Sequence, residues 1–127
     1  MKQVLGFGVL MKPKLPHALC SQCTLVDEPC VPGFGLKDAD VIFVGEAPGL
    51  QEVENGIPFV GPSGQLLDAM LDVAGWSLPE AKMYKTNVVA CRPPNNREPT
   101  EHEVACCSKR LKEELSKIET NKVVSLG

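Results

Sequence analysis

Residues 41–49 read VIFVGEAPG, so that Val41-Ile42-Phe43-Val44 runs straight into Gly45-Glu46-Ala47-Pro48-Gly49. An unbroken apolar run containing two Val and one Ile favours extended backbone and reads as a core strand. The Gly and Pro residues that follow turn the chain sharply at the strand's carboxyl end.

Working downstream, a tight turn over Gly61–Gly64 leads into a helical pattern in which Leu67, Met70, Leu71 and Ala74 form one apolar face, stopped by Gly75. Ser77 and Glu80 have the spacing of a brief capping box, and the second strand follows from Met83 to Cys91. Thr100 and Glu103 repeat that spacing before a second amphipathic helix. Its inward stripe is Val104, Cys107, Leu111, Leu115 and Ile118, with Cys106 about 100° round from it. Lys122–Gly127 reads as a third strand reaching its turn.

The alternation of strand and helix predicts an α/β fold: a three-layer arrangement with a central parallel sheet, right-handed crossovers and helices on both faces. Ligands then belong at the carboxyl ends of the strands, where GEAPG and TNVVACRPPNN both fall. Upstream, residues 1–40 form a turn-rich lead with two close cysteines rather than a domain of their own. The apolar stretch Val4–Met11 is short and has no convincing cleavage site after it, so a buried or docking segment is expected rather than a secretion signal. A final strand ending on a turn glycine suggests that the single domain, residues 1–127, is truncated at its C-terminus.

With 43% hydrophobic and 23% charged residues the chain is expected to be globular, without a membrane span and cytoplasmic. A net charge of −3 argues against a general nucleic-acid coat. The charge is uneven, however. Residues 38–54 hold Asp38, Asp40, Glu46, Glu52 and Glu54 with no base, whereas residues 82–97 hold Lys82, Lys85, Arg92 and Arg97 with no acid.

Six cysteines without an export signal favour metal ligation over disulfides. Cys20 and Cys23 have the CxxC spacing shared by zinc sites, iron-sulfur sites and redox dithiols. Cys91 ends a strand and Cys107 lies on the inward face of the next helix, so a strand-loop-helix unit can bring them together. Four thiolates around zinc, four around an iron-sulfur centre, and buried free thiols all satisfy this spacing. Cys30 and Cys106 are left over.

Among the remaining residues, GEAPG allows close backbone approach to an anion or a planar ligand, but it is neither a P-loop nor GxGxxG. Glu46 and Glu52 are acids near a strand end, suited to acid-base work or simply solvated. Phe59 is an aromatic on a loop that can stack on a base or plug the core. Asn87 interrupts an apolar strand, and its amide can read a pyrimidine edge or tie loops together. Arg92, Asn95, Asn96 and Arg97 form a polar loop able to meet phosphates. Ser63 reads as a helix cap, and neither His17 nor His102 is placed as a catalytic base.

VIFVGEAPG with Glu52, GIPFVGPSGQLLDAML, YKTNVVACRPPNNREPT and the spaced cysteines together resemble the family 4 uracil-DNA glycosylases from about Cys20 to Gly127. Related domains occur in phage DNA-polymerase-associated proteins. The resemblance implies a three-layer α/β fold, a [4Fe-4S] cluster on Cys20, Cys23, Cys91 and Cys107, and excision of uracil from DNA. It implies that Glu46 with the backbone of Gly45, Ala47 and Gly49 lines a uracil pocket, that Phe59 stacks on the extruded base, and that Asn87 reads its polar edge. Glu52 falls on an acidic site position, Ser63 on a small-residue position near the DNA backbone, and Arg92 and Arg97 close to DNA. Two departures stand out: Val53 replaces a neighbouring acid, and the family's later histidine motif has no counterpart by Gly127. Weak or absent activity is therefore expected unless another chain completes the site, and a non-catalytic iron-sulfur DNA-binding or replication-associated module is the alternative.

Overall fold

The computed structural model describes residues 14–76 and 82–126. The apolar stretch Val4–Met11, the Ser77/Glu80 capping box and Gly127 lie outside the described residues.

Four strands form one sheet in the order β1-β3-β2-β4: β1 is Phe34–Gly35, β2 Val41–Gly45, β3 Met83–Asn87 and β4 Val123–Ser125. Both neighbours of β2 run parallel to it, with Ile42 opposite Tyr84 on one side and Val123 on the other. The predicted parallel core is therefore present. The addition is β1, a two-residue edge strand antiparallel to β3, too short to carry a periodic signal.

Among the described residues three α-helices accompany the sheet: α1 Leu50–Asn55, α2 Pro62–Val73 and α3 Glu101–Ser116. Every residue of β2 is buried, because its alternating side chains serve two different layers. Val41 and Phe43 pack with Met83, Leu67, Leu71 and Trp76 on the α2 side. Ile42 and Val44 pack with Ala39, Ile118 and Leu115 on the α3 side. Helix, sheet and helix make the expected three layers.

The helix faces differ in part from the periodic reading. On α2 only Leu67 and Leu71 reach the sheet, while Met70 and Ala74 are exposed. The contact is one narrow stripe along the i, i+4 row, and residues on its shoulder face outward. On α3 the buried set is Glu103, Cys106, Cys107 and Arg110, so the inward face includes polar residues that hydrophobic periodicity could not count. Two further expectations shift: β3 ends at Asn87 rather than Cys91, and Gly61, not Ser63, stands at the N-cap of α2.

Candidate functional site

The strand ends open onto a cleft of about 760 Å³, bordered by the GEAPG loop, Phe59, Asn87 and the start of α2. Gly45 closes β2 at its floor. A methyl group at Gly45 would stand 2.6 Å from Asn87 Oδ1 and 2.7 Å from Phe59 Cζ. The amide and the ring thus converge on Gly45, where a side chain would bar their close approach.

Phe59 holds this position at a conformational cost. Its φ is +61°, the left-handed region that is unfavourable for a bulky L-residue by about 1–3 kcal/mol. Two contacts enforce it. Glu52 Oε2 accepts from the N–H groups of Val60 at 2.9 Å and Gly61 at 2.6 Å, while Oε1 accepts from Gly49 N–H at 3.0 Å. Gly64, in the first turn of α2, then backs against the Phe59 carbonyl so closely that a Cβ would lie 2.1 Å from its oxygen. Glu52 therefore ties the GEAPG loop to the Phe59 loop, and the Gly49 N–H is occupied by that tie.

Asn87 is buried. Its backbone carbonyl and that of Val88 accept from Arg110 at 2.7 and 2.9 Å, which fixes the end of β3 and leaves the Asn87 side chain bordering the cleft. Arg110 also donates to Glu114 and Thr86, and Glu114 accepts from Tyr84 Oη at 2.6 Å. Burial, then the hydrogen bond to Glu114, pushes the Tyr84 phenol upward. Glu46 is exposed at the cleft, with its backbone carbonyl accepting from Val89 N–H at 3.0 Å. Ala47 and Ser63 border the same space.

The basic loop is partly committed. Arg97 forms a two-pronged ion pair with Glu103, at 2.9 and 2.8 Å. Glu103 also accepts from Thr100 N–H and from Thr24 Oγ1. The Arg97 hydrogen bonds, aided by those from Thr24 and Thr100, outweigh burial and hold the Glu103 carboxyl at about 2. Arg92 makes a lighter contact, its Nε donating to Asn96 Oδ1 at 2.9 Å. Asn95 and Asn96 both take left-handed φ values in this turn.

Behind the cleft, Cys20, Cys23, Cys91 and Cys107 border one small pocket, together with Cys106 and Lys14. The lead is fastened to α3 there, with Leu19 N–H donating to Cys106 O at 2.9 Å and His102 Nε2 lying 2.8 Å from Gln22 O. Lys14 Nζ reaches Cys91 Sγ at 2.9 Å and is anchored by the carbonyls of Leu25 and Glu28. A hydrogen bond from Cys30, then Lys14, draws the Cys91 thiol below its ordinary range, and Cys30 moves upward in consequence. Burial raises Cys106 and Cys107.

Among the described residues no three Cys, His, Asp or Glu side chains close on a common point as a single metal ion demands. Zn–S bonds of about 2.3 Å bring thiolates to within about 4 Å of one another. A four-iron cluster spreads its ligands wider, because an iron-iron edge separates each pair. An all-sulfur donor set is one that iron-sulfur centres and zinc both take. Cys106, expected to lie off the buried face, is buried and shares the pocket, because α3 meets the lead as well as the sheet.

The expected Thr100/Glu103 capping box is present, but sequence reading missed Arg110, the bonds of Glu103 to Arg97 and Thr24, and the place of Cys106 in the thiol pocket. The spacing 103, 106/107, 110, 114 is helical, and a polar set at that spacing is the signal that was available. Among the described residues no helix is long and apolar enough to cross a membrane.

The chain matches the Uracil DNA glycosylase superfamily over residues 32–127. It is 46% identical over 110 residues to the type-4 uracil-DNA glycosylase of Archaeoglobus fulgidus, covering 85% of this chain and 54% of that protein. The type-4 enzyme of Sulfurisphaera tokodaii is 43% identical over 111 residues, covering 85% and 50%. That of Thermotoga maritima is 43% identical over 97 residues, covering 76% and 50%. The chain spans about half the length of the curated relatives it matches.

Proposed function

The chain belongs to the uracil-DNA glycosylase superfamily, and on that premise we propose that it takes uracil-containing DNA at the strand-end cleft and hydrolyses the N-glycosidic bond of the extruded uracil. The observation that carries the reading is that the Asn87 amide and the Phe59 ring meet over Gly45 at the border of the strand-end cleft. A flat pyrimidine needs one aromatic face to stack on and one donor-acceptor pair to read its edge, and a flipped base presents both.

The roles follow from position. Phe59 stacks, and its left-handed backbone holds the ring at the cleft border. The Asn87 amide pairs with the uracil edge and offers an N–H toward oxygen charge that develops as the base leaves. Glu46, exposed at the cleft mouth, orients the attacking water. Glu52 acts on geometry, since its three backbone N–H partners engage both carboxylate oxygens. Arg92 contacts phosphate, whereas Arg97 works chiefly through Glu103 to hold the loop.

Cys20, Cys23, Cys91 and Cys107 are the proposed ligands of a [4Fe-4S] cluster. Its contribution when bound is architectural, joining the lead to the 91–107 connection that carries Arg92. Iron and sulfide analysis of anaerobically prepared protein tests this, and zinc in their place would replace it with a zinc-held module.

Alkali treatment of oligonucleotides after incubation with the protein tests the activity. Strand breaks at uracil and none at thymine support excision, and Asn87→Ala should remove that discrimination. Binding of uracil-containing DNA without breaks supports a non-catalytic DNA-binding module instead. Breaks that do not depend on uracil would end the proposal.

A further inference from the structure

Cys30 is not part of the proposed ligand set, yet it is placed against one of its members. Cys30 and Cys91 oppose each other in an isolated antiparallel bridge. The hydrogen bonds that define this bridge run from Val31 N–H to Ala90 O at 2.8 Å and from Arg92 N–H to Pro29 O at 3.3 Å. Both lie outside the pair, which makes 30 and 91 a non-hydrogen-bonded pair, the kind whose Cα atoms stand about 4.5 Å apart with side chains at their closest. Disulfides span Cα separations of about 4.4–6.8 Å. All six cysteines are free, and Cys30 is the more accessible of this pair.

We propose that Cys30 and Cys91 form an oxidisable dithiol that closes to a disulfide, and that this bond competes with iron-sulfur ligation for the Cys91 sulfur. The first part stands on the backbone register alone, and the second rests on the ligand set proposed above. With hydrogen peroxide as oxidant, one thiol loses two electrons and becomes a sulfenic acid while water departs. The second sulfur then displaces its hydroxyl as a second water, so that two thiols and one peroxide give one disulfide and two waters. Cys23 and Cys106 border one small pocket, but one ends a 3-10 turn and the other lies on α3. No strand pairing holds their backbones in register.

The test begins with reduced, metal-free full chain given one equivalent of peroxide, followed by thiol counting and non-reducing peptide mass mapping. Two of the six thiols should be lost, a Cys30–Cys91 linked peptide should appear, and dithiothreitol should reverse both. Cys30→Ser, checked by melting temperature to fold like the reduced wild type, should lose the link. A dominant Cys23–Cys106 link, or no thiol loss from the folded chain, overturns the proposal. In a second arm, iron and sulfide are supplied anaerobically. Oxidised wild type should fail to take up iron until reduced, while peroxide-treated Cys30→Ser takes it up as untreated protein does. Equal uptake by oxidised and reduced wild type overturns the competition. No uptake by any reduced form ends the cluster reading and leaves the disulfide to be judged by the mapping.

Discussion

Replacing Glu103 by Gln removes a negative charge from the junction of the lead, the basic loop and α3. The Glu103 side chain is 0% exposed and accepts from Arg97 twice, from Thr100 N–H and from Thr24 Oγ1. Its folded pKa lies at about 2, below the ordinary 4.5. A depressed carboxyl contributes stability that is fully present above the unfolded value and is lost as pH falls through the folded one. At about 1.4 kcal/mol per pH unit the ceiling is about 3 kcal/mol. Arg97 is 41% exposed, and solvent screening lowers the expected contribution to about 2 kcal/mol. Gln keeps one acceptor but turns an NH₂ group toward an Arg97 nitrogen, which can only donate. Urea unfolding of the reduced protein, followed by the fluorescence of the single Trp, should show Glu103→Gln destabilised by about 2 kcal/mol at pH 7, with roughly half of that deficit remaining at pH 3. A variant as stable as wild type at pH 7, or a deficit that does not shrink on acidification, would refute the reasoning.

Gly45→Ala should bring the affinity for uracil-containing DNA down to that for thymine-containing DNA in a binding titration, because the new methyl falls 2.6 Å from Asn87 Oδ1 and 2.7 Å from Phe59 Cζ. Glu52→Gln should cost about 1–2 kcal/mol through weakened charge-assisted hydrogen bonds. Hydrogen exchange should then show the Val60 and Gly61 amides losing protection, and unchanged protection would remove Glu52 from its tie. Arg92→Ala should weaken binding of uracil- and thymine-containing DNA alike and lower the slope of log affinity against log salt by about 1; a loss confined to uracil-containing DNA would place Arg92 in the base pocket instead.

Much of the fold was legible because β2 is a continuous apolar run ending in Gly-Glu-Ala-Pro-Gly, and such a run has few uses other than a strand buried on both sides. The parallel partners followed from the strand-helix alternation, and the position of the cleft from the strand ends. Asn87 was conspicuous as an amide among apolar neighbours, and the cysteines by their spacing. What stayed hidden was how the polar residues would be spent. Glu52 could be read as an acid-base group until three backbone N–H groups were found on it. Arg97 could be read as a phosphate contact until it met Glu103.

Local propensity and periodicity along one chain were thus enough to determine the layers, the edge where the cleft opens and which side chains stand near it. Only tertiary structure decided that Cys30 faces Cys91, that Cys106 joins the thiol pocket, that Arg110 clamps the end of β3 and that Phe59 is held in a strained backbone. The first three depend on which groups meet across long stretches of sequence, and partners chosen at that range leave no periodic trace in the residues that make them; the last depends on how a carboxylate and a glycine close one loop, which has no period either.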